Sequence, residues 1–222
     1  MNKVIVITPH PDDETLGCGG TLLKHKANGD EIYWMIVTEM KNESFSADDI
    51  IKRETEIKAV TELYGFNNVF QLPFGAATLD KVPARDLVSA ISNVFKQVEP
   101  TYVYAPYRND IHSDHKAVFD ATMSCTKWFR HPSIEKVLVY ETLSETDFVM
   151  NTDGSSFQPN VFVNISDYIE TKIEIMNVYE SEIENHPFPR SEKAIRALAT
   201  LRGAAAGVQA SEAFMLVKER IL

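Results

Sequence analysis

Cysteine is almost missing from this chain. Cys18 and Cys125 are the only two, too few and too far apart for a disulfide framework, so each reads as a small buried hydrophobe. Long apolar runs are missing as well: no window approaches the roughly 18 residues of a membrane span. The opening residues, MNKVIVITPHPDDE, lack the longer apolar region and the small-residue cleavage site of a signal peptide, and the expectation is a cytoplasmic protein. Positive charge is in deficit. The 22 Lys and Arg against 32 Asp and Glu leave a formal net charge of −10, the wrong sign for a nucleic-acid backbone or an anionic membrane surface. No repeat, low-complexity tract or composition shift divides the chain, so residues 1–222 are expected to form a single domain.

What is present is a globular balance, with 44% hydrophobic and 24% charged residues, and a length that should bury roughly 70% of the unfolded chain's surface. Val4-Ile5-Val6-Ile7 is a continuous β-branched run, the pattern of a strand buried on both faces of a parallel sheet. Further strands are expected at Ile32–Thr38, Val69–Leu72, Thr101–Ala105, Val137–Tyr140, Asn160–Ile165 and Ala213–Val217. Between them, helical periodicity runs over Ala47–Leu63, Pro83–Val98, His115–Cys125 and Ser191–Gly207. Gly19-Gly20 is read as opening a short helix that stops at Asn28-Gly29, and Ser166-Asp167 as capping a long helix through Tyr179. Strands alternating with helices predict an α/β fold: a Rossmann-like, mostly parallel sheet with helices on both faces, a three-layer αβα arrangement.

In open α/β sheets, ligands bind outside the carboxyl ends of the strands. His10, Asp12 and Asp13 follow strand one, and Arg108-Asn109-Asp110-Ile111-His112-Ser113-Asp114-His115 follows strand four. Two His/Asp clusters distant in sequence therefore converge on one rim. A catalytic zinc site takes three protein ligands from imidazole nitrogen and carboxylate oxygen and keeps a position open for water. His10 and Asp13 with His115 fit that set, which leaves Asp12 as candidate general base. A metal ion lowers the pKa of bound water from about 15.7 to about 7. His112 as a cation would stabilise the developing oxyanion and could protonate the leaving amine. Asp114 would orient His112 or hold a ligating histidine in its tautomer. Taken singly, each motif has a plainer reading: HPDDE as a helix N-terminus, HSDH as a polar turn. Their convergence on one rim is what favours chemistry.

These residues carry a resemblance. Pro9-His10-Pro11-Asp12-Asp13-Glu14 and His112-Ser113-Asp114-His115 closely resemble the [TA]HPDDE and HxDH motifs of the PIG-L or LmbE-like N-acetylglucosaminyl deacetylases. Gly17-Cys18-Gly19-Gly20, Arg53 with Glu56, Asn109-Asp110, and Leu201-Arg202-Gly203 followed by Glu212-Ala213-Phe214 are similar to further signatures of that family, so the resemblance runs over most of the chain. It implies a Rossmann-like sheet and hydrolysis of an N-acetyl group on a glucosamine-type sugar or its glycoside. It also implies zinc on His10, Asp13 and His115, Asp12 as base, and His112 with Asp114 as the oxyanion-stabilising pair. Arg53, Glu14 and Asn109 would line the substrate site. Ser113 stands where proline is common, and Phe74–Asp80 departs from the G-Y-x-D-G-x-L of many members, a loop expected to shape substrate choice.

Other partners and roles follow from the same reading. The expected partner is a small amino-sugar substrate, with no nucleic acid and no membrane span, and a homo-oligomer stays open. Iron, cobalt or manganese would suit two histidines and a carboxylate as well as zinc does. A nucleotide-dependent Rossmann enzyme would need a GxGxxG after strand one, which is missing. A non-catalytic sugar- or metal-binding module would have no use for the spare carboxylate of Asp12. Glu180, Glu182 and Glu184 read as a solvated face, and Trp128-Phe129 as helix-end core.

Overall fold

The computed structural model describes residues 1–41, 45–150 and 156–222. Among them lies one seven-stranded sheet. Its strands are β1 (Lys3–Thr8), β2 (Glu31–Glu39), β3 (Asn68–Gly75), β4 (Tyr102–Pro106), β5 (Lys136–Tyr140), β6 (Val161–Asn164) and β7 (Ser211–Glu219). The spatial order is β3-β2-β1-β4-β5-β7-β6. The first five are mutually parallel, while β7 runs antiparallel to β5 and to β6. All the strands expected from β-branched and aromatic runs are present.

Successive side chains of a strand point to opposite faces, and β1 feeds two cores. Val4 and Val6 join Trp34, Tyr104 and Tyr140 under α1 (Asp13–Ala27), α2 (Ala47–Tyr64), α5 (Ile169–Met176) and α6 (Glu192–Ala206). Ile5 and Ile7 join Met35, Val37 and Val103 under α3 (Ala84–Val98) and α4 (Ser113–Cys125). All four residues are fully buried, which is why this strand is hydrophobic without alternation. The result is the three-layer αβα architecture. Both cysteines are buried and unpaired.

Two helix starts differ from expectation. α1 opens at Asp13, so the acidic residues form its first turn and Gly17, Gly19 and Gly20 lie inside it. A Cβ at Gly17 would come within 2.3 Å of the Tyr140 ring, and one at Gly20 within 2.7 Å of Ile165. Their place in the helix is set by contact with distant elements, not by a turn. α5 begins only at Ile169, with Tyr168 at its N-cap, and ends at Met176. Trp128 and Phe129 are exposed instead of core, because α4 ends at Cys125 and carries them beyond its packed face. No helix among the described residues is long and apolar enough to cross a membrane.

Chain order reverses at β1: β2 and β3 follow on one side, β4 and β5 on the other. The crevice between the carboxyl ends of β1 and β4 is thus the topological switch point, where such sheets bind ligands. HPDDE and HSDH are the segments that leave those two ends.

Candidate active site

The turn after β1 is held at four backbone points. Thr38 donates through N and Oγ1 to Pro9 O (3.1 and 2.7 Å). Arg53 Nη1 donates to Pro11 O (2.9 Å). Asp12 N–H donates to Glu14 Oε2 (3.0 Å), and Asp12 O accepts from Thr15 and Leu16 of α1. Between these anchors Asp12 adopts φ 124°, ψ −31°, a region that L side chains rarely occupy and that costs of order 1–3 kcal/mol. Asp13 reaches back to the His10 N–H (2.9 Å), and both aspartates line the cavity wall.

The turn after β4 is ordinary by comparison. His112 is the N-cap of α4 at φ −77°, ψ 124°, and its Nδ1 accepts from Asp114 N–H (3.1 Å). Asp114 and His115 lie in the first turn of the helix, both buried. The imidazoles of His10, His112 and His115 gather with centroids 4.5, 5.7 and 5.8 Å apart.

Donor atoms of His10, Asp13 and His115 lie within 4.8 Å of one another, as a metal site requires. Asp13 stands between the two rings, 3.6 Å from His10 Nδ1 and 3.4 Å from His115 Nε2. Each ring's other nitrogen is held by a carboxylate. His10 Nε2 meets Asp114 Oδ2 at 3.1 Å, and His115 Nδ1 meets Asp110 Oδ2 at 2.7 Å. Metal-binding histidines are commonly oriented this way, so the chemistry of the donor set fits a divalent ion. Asp114 also accepts from the backbone N–H of Ala77 and Leu79 (2.7 and 3.1 Å). Its carboxylate thus meets the His10 ring and latches the 74–80 loop to the site, while its own N–H meets His112.

Charge states follow from burial and neighbours. Burial pushes the Asp12 carboxyl well up, reinforced by Asp13, Glu182 and Glu14 against the pull of Arg190. Burial alone would lower His115, but Asp13 and Asp110 overcome it and raise the metal-free imidazole to about 9. Burial and the neighbouring His10 lower His112. Its Nδ1 is already an acceptor, from the Asp114 N–H, which leaves Nε2 as the nitrogen facing the other two rings' side of the site. For Asp114, burial works upward, but the hydrogen bonds from His10, Ala77 and Leu79 outweigh it and hold the carboxyl low.

A cavity of about 340 Å³ opens over these groups, in the size range of small-molecule sites. Its wall includes Arg53, Glu145, Glu182 and Arg190 as well as apolar Leu16, Ile50 and Ile57. Two residues expected at the substrate stand elsewhere. Glu14 is fully buried behind the wall, accepting from Asp12 N–H, Thr15 Oγ1 (2.7 Å) and Tyr179 Oη (2.7 Å), and burial raises it to about 7. Asn109 turns to Tyr107 Oη (3.4 Å) and is not among the cavity-lining residues. Conversely, Glu182 is no solvated face: it joins Arg53 to Arg190 at the cavity edge. Asp110, Glu145 and Arg190 had no role in the sequence reading. An N-D pair ahead of HSDH was the one available signal for Asp110, while nothing local marks the other two.

Residues 5–126 match the PIG-L family, described as GlcNAc-PI de-N-acetylase. The diacetylchitobiose deacetylase of Thermococcus kodakarensis is 25% identical over 98% of this chain and 84% of its own length. The probable N-acetyl-alpha-D-glucosaminyl L-malate deacetylase 2 of Bacillus cereus is 24% identical over 82% of this chain and 84% of its own. Among solved structures, N,N′-diacetylchitobiose deacetylase from Pyrococcus horikoshii superposes with a TM-score of 0.79 at 22% identity, covering 98% of this chain and 84% of that one; it speaks for the fold alone. With more than half of its length matched, and with both histidine–aspartate turns inside the match, the chain belongs to the PIG-L family and is a deacetylase of N-acetylated sugars.

Proposed function

We propose that the chain is a zinc-dependent hydrolase that removes the N-acetyl group from an N-acetylglucosamine-type sugar or its glycoside, with Asp12 as general base. One observation carries the reading. Asp12 is a buried carboxylate on the cavity wall, held on a strained turn beside the His10, Asp13 and His115 donors and outside their set.

His10 through Nδ1, Asp13 through its carboxylate and His115 through Nε2 would hold the ion. Asp114 and Asp110 hold the opposite ring nitrogens, which leaves His10 Nδ1 and His115 Nε2 as the nitrogens that would face the ion. A bound divalent ion supplies acidified water and polarises the amide carbonyl. Asp12 takes the proton from the attacking water, and its raised proton affinity suits it to keep that proton until the amine departs. His112 donates Nε2–H to the oxygen of the former carbonyl as negative charge develops there. Protonated Asp12 then delivers its proton to the leaving nitrogen, so a single carboxyl serves both transfers. Arg53, through Pro11 O, keeps the turn that aims it.

The test is acetate release from N-acetylglucosamine glycosides by protein reconstituted in turn with zinc, iron, cobalt and manganese, with and without chelator. Release that needs a metal, highest with zinc, is expected. Release that survives complete chelation would remove the metal from the mechanism.

A further inference from the structure

The cavity's cations are all engaged by the protein itself, and this bears on which amino-sugar derivative fits; the inference rests on the deacetylase reading above. Three lysines or arginines line the cavity: Lys41, Arg53 and Arg190. Lys41 pairs with Glu39 at 2.5 Å. Arg53 donates from Nη1 to Pro11 O and from Nη2 to Ser181 and Glu182, and its Nε stands 3.2 Å from Glu56. Arg190 donates from Nε to Glu182 O, from Nη1 to Ser144 Oγ and from Nη2 to Glu182 Oε2, each at 2.9 Å.

Capture of a carboxylate or phosphate by arginine rests on two parallel N–H groups along one edge of the guanidinium. In both arginines every nitrogen already faces a protein acceptor. The acidic side has a surplus. Beyond Asp12 and Asp13, which a divalent ion offsets, Glu54 and Glu145 line the cavity with no lysine or arginine partner among the described residues. A carboxylate on the aglycone would meet occupied cations and spare carboxylates. Sugar hydroxyls would instead find acceptors at the same groups, and ring C–H faces would find Leu16, Ile50 and Ile57.

We propose that this site selects neutral N-acetylglucosamine glycosides and rejects glycosides whose aglycone carries carboxylate charge. Glu182 is the specificity-determining residue, because it occupies both arginines at once.

The experiment compares N,N′-diacetylchitobiose, which is neutral, with N-acetylglucosaminyl malate, which carries two carboxylates. Two readouts are used: acetate release by the zinc-loaded protein, and calorimetric binding to zinc-loaded Asp12→Asn, which holds substrate without turning it over. The neutral glycoside is expected to bind at least about tenfold more tightly at low salt. The gap should shrink as salt screens the repulsion, since the Debye length falls from about 30 Å at 0.01 M to about 10 Å at 0.1 M. Glu182→Gln should free an arginine edge and narrow the gap further, by tightening the malate glycoside while the neutral one changes little. Equal or tighter binding of the malate glycoside to the Asp12→Asn protein would overturn the proposal, as would a Glu182→Gln ratio unchanged from that of the parent. Acetate release from neither compound would instead count against the deacetylase reading, and the binding ratio would still decide this one.

Discussion

The turn after β1 and the turn after β4 bring the same residue types to one crevice, yet their backbones differ. His112 sits in ordinary extended geometry, and its segment continues into α4 as any capped helix does. Asp12 sits at φ 124°, and Thr38, Arg53, Glu14 and α1 all grip the peptide units around it. The difference tracks the tasks proposed for them. His115 and Asp114 need only a rigid helix turn to reach ligand and tautomer positions. Two adjacent aspartates must face different ways, one toward the donor cluster and one toward the substrate. The strained conformation of Asp12 persists because contacts from three other elements hold the peptide units on either side of it.

Removing the two functional ends should separate them most clearly. Asp12→Ala is expected to lower kcat by about 10²–10⁴ with metal content unchanged, whereas His115→Ala should lose the metal itself; elemental analysis beside turnover tells them apart. Full metal occupancy in His115→Ala would remove that ligand. A smaller effect is expected one contact further out on the β4 side. Asp110→Asn should weaken metal affinity by about 10–100-fold, measured by competition with a chelating dye, because it leaves His115 Nδ1 without its carboxylate.

On the β1 side the equivalent step is Tyr179→Phe, which deletes a hydrogen bond to Glu14 and loosens the grip on Asp12. It should cost about 1 kcal/mol, read as a several-fold fall in kcat with KM and metal affinity little changed. A loss of metal instead would mean that the two turns are not mechanically distinct. The smallest effect is in stability against pH. Glu14 titrates at about 7 in the fold against an ordinary 4.5. Below 4.5 it is protonated in both states; from 4.5 to 7 the unfolded chain releases its proton first, so stability falls as pH rises through that window. Glu14→Gln should flatten this part of the urea-denaturation profile, and an unaltered slope would place the titration elsewhere.

How much of this was legible beforehand depended on how local each cause is. VIVI announced a strand buried on both faces because that requirement acts residue by residue. HPDDE and HSDH could be brought to one rim because parallel strands have a defined chemical polarity. The start of α1 was misplaced because the glycines were read as punctuation, whereas their reason lies across the fold at Tyr140 and Ile165. Glu14 was expected at the substrate because it adjoins Asp12 and Asp13 in sequence; burial behind the turn is a three-dimensional fact. Glu182 sits among other glutamates in a polar stretch, and only the folded chain sets it against Arg53 and Arg190. Motif residues were readable, and the residues that hold or modulate them largely were not.

Gly17 has a reach that its chemistry conceals. Tyr140, against which it packs, also donates from Oη to Ile7 O at 2.9 Å, on the strand that delivers His10. The missing methyl at position 17 therefore works as a gauge block between helix, ring and strand. Thickened by one carbon, it would displace a buried aromatic wedge and with it the end of β1. Gly17→Ala would then look, in any activity assay, like damage to the metal site, although it alters no ligand and no charge.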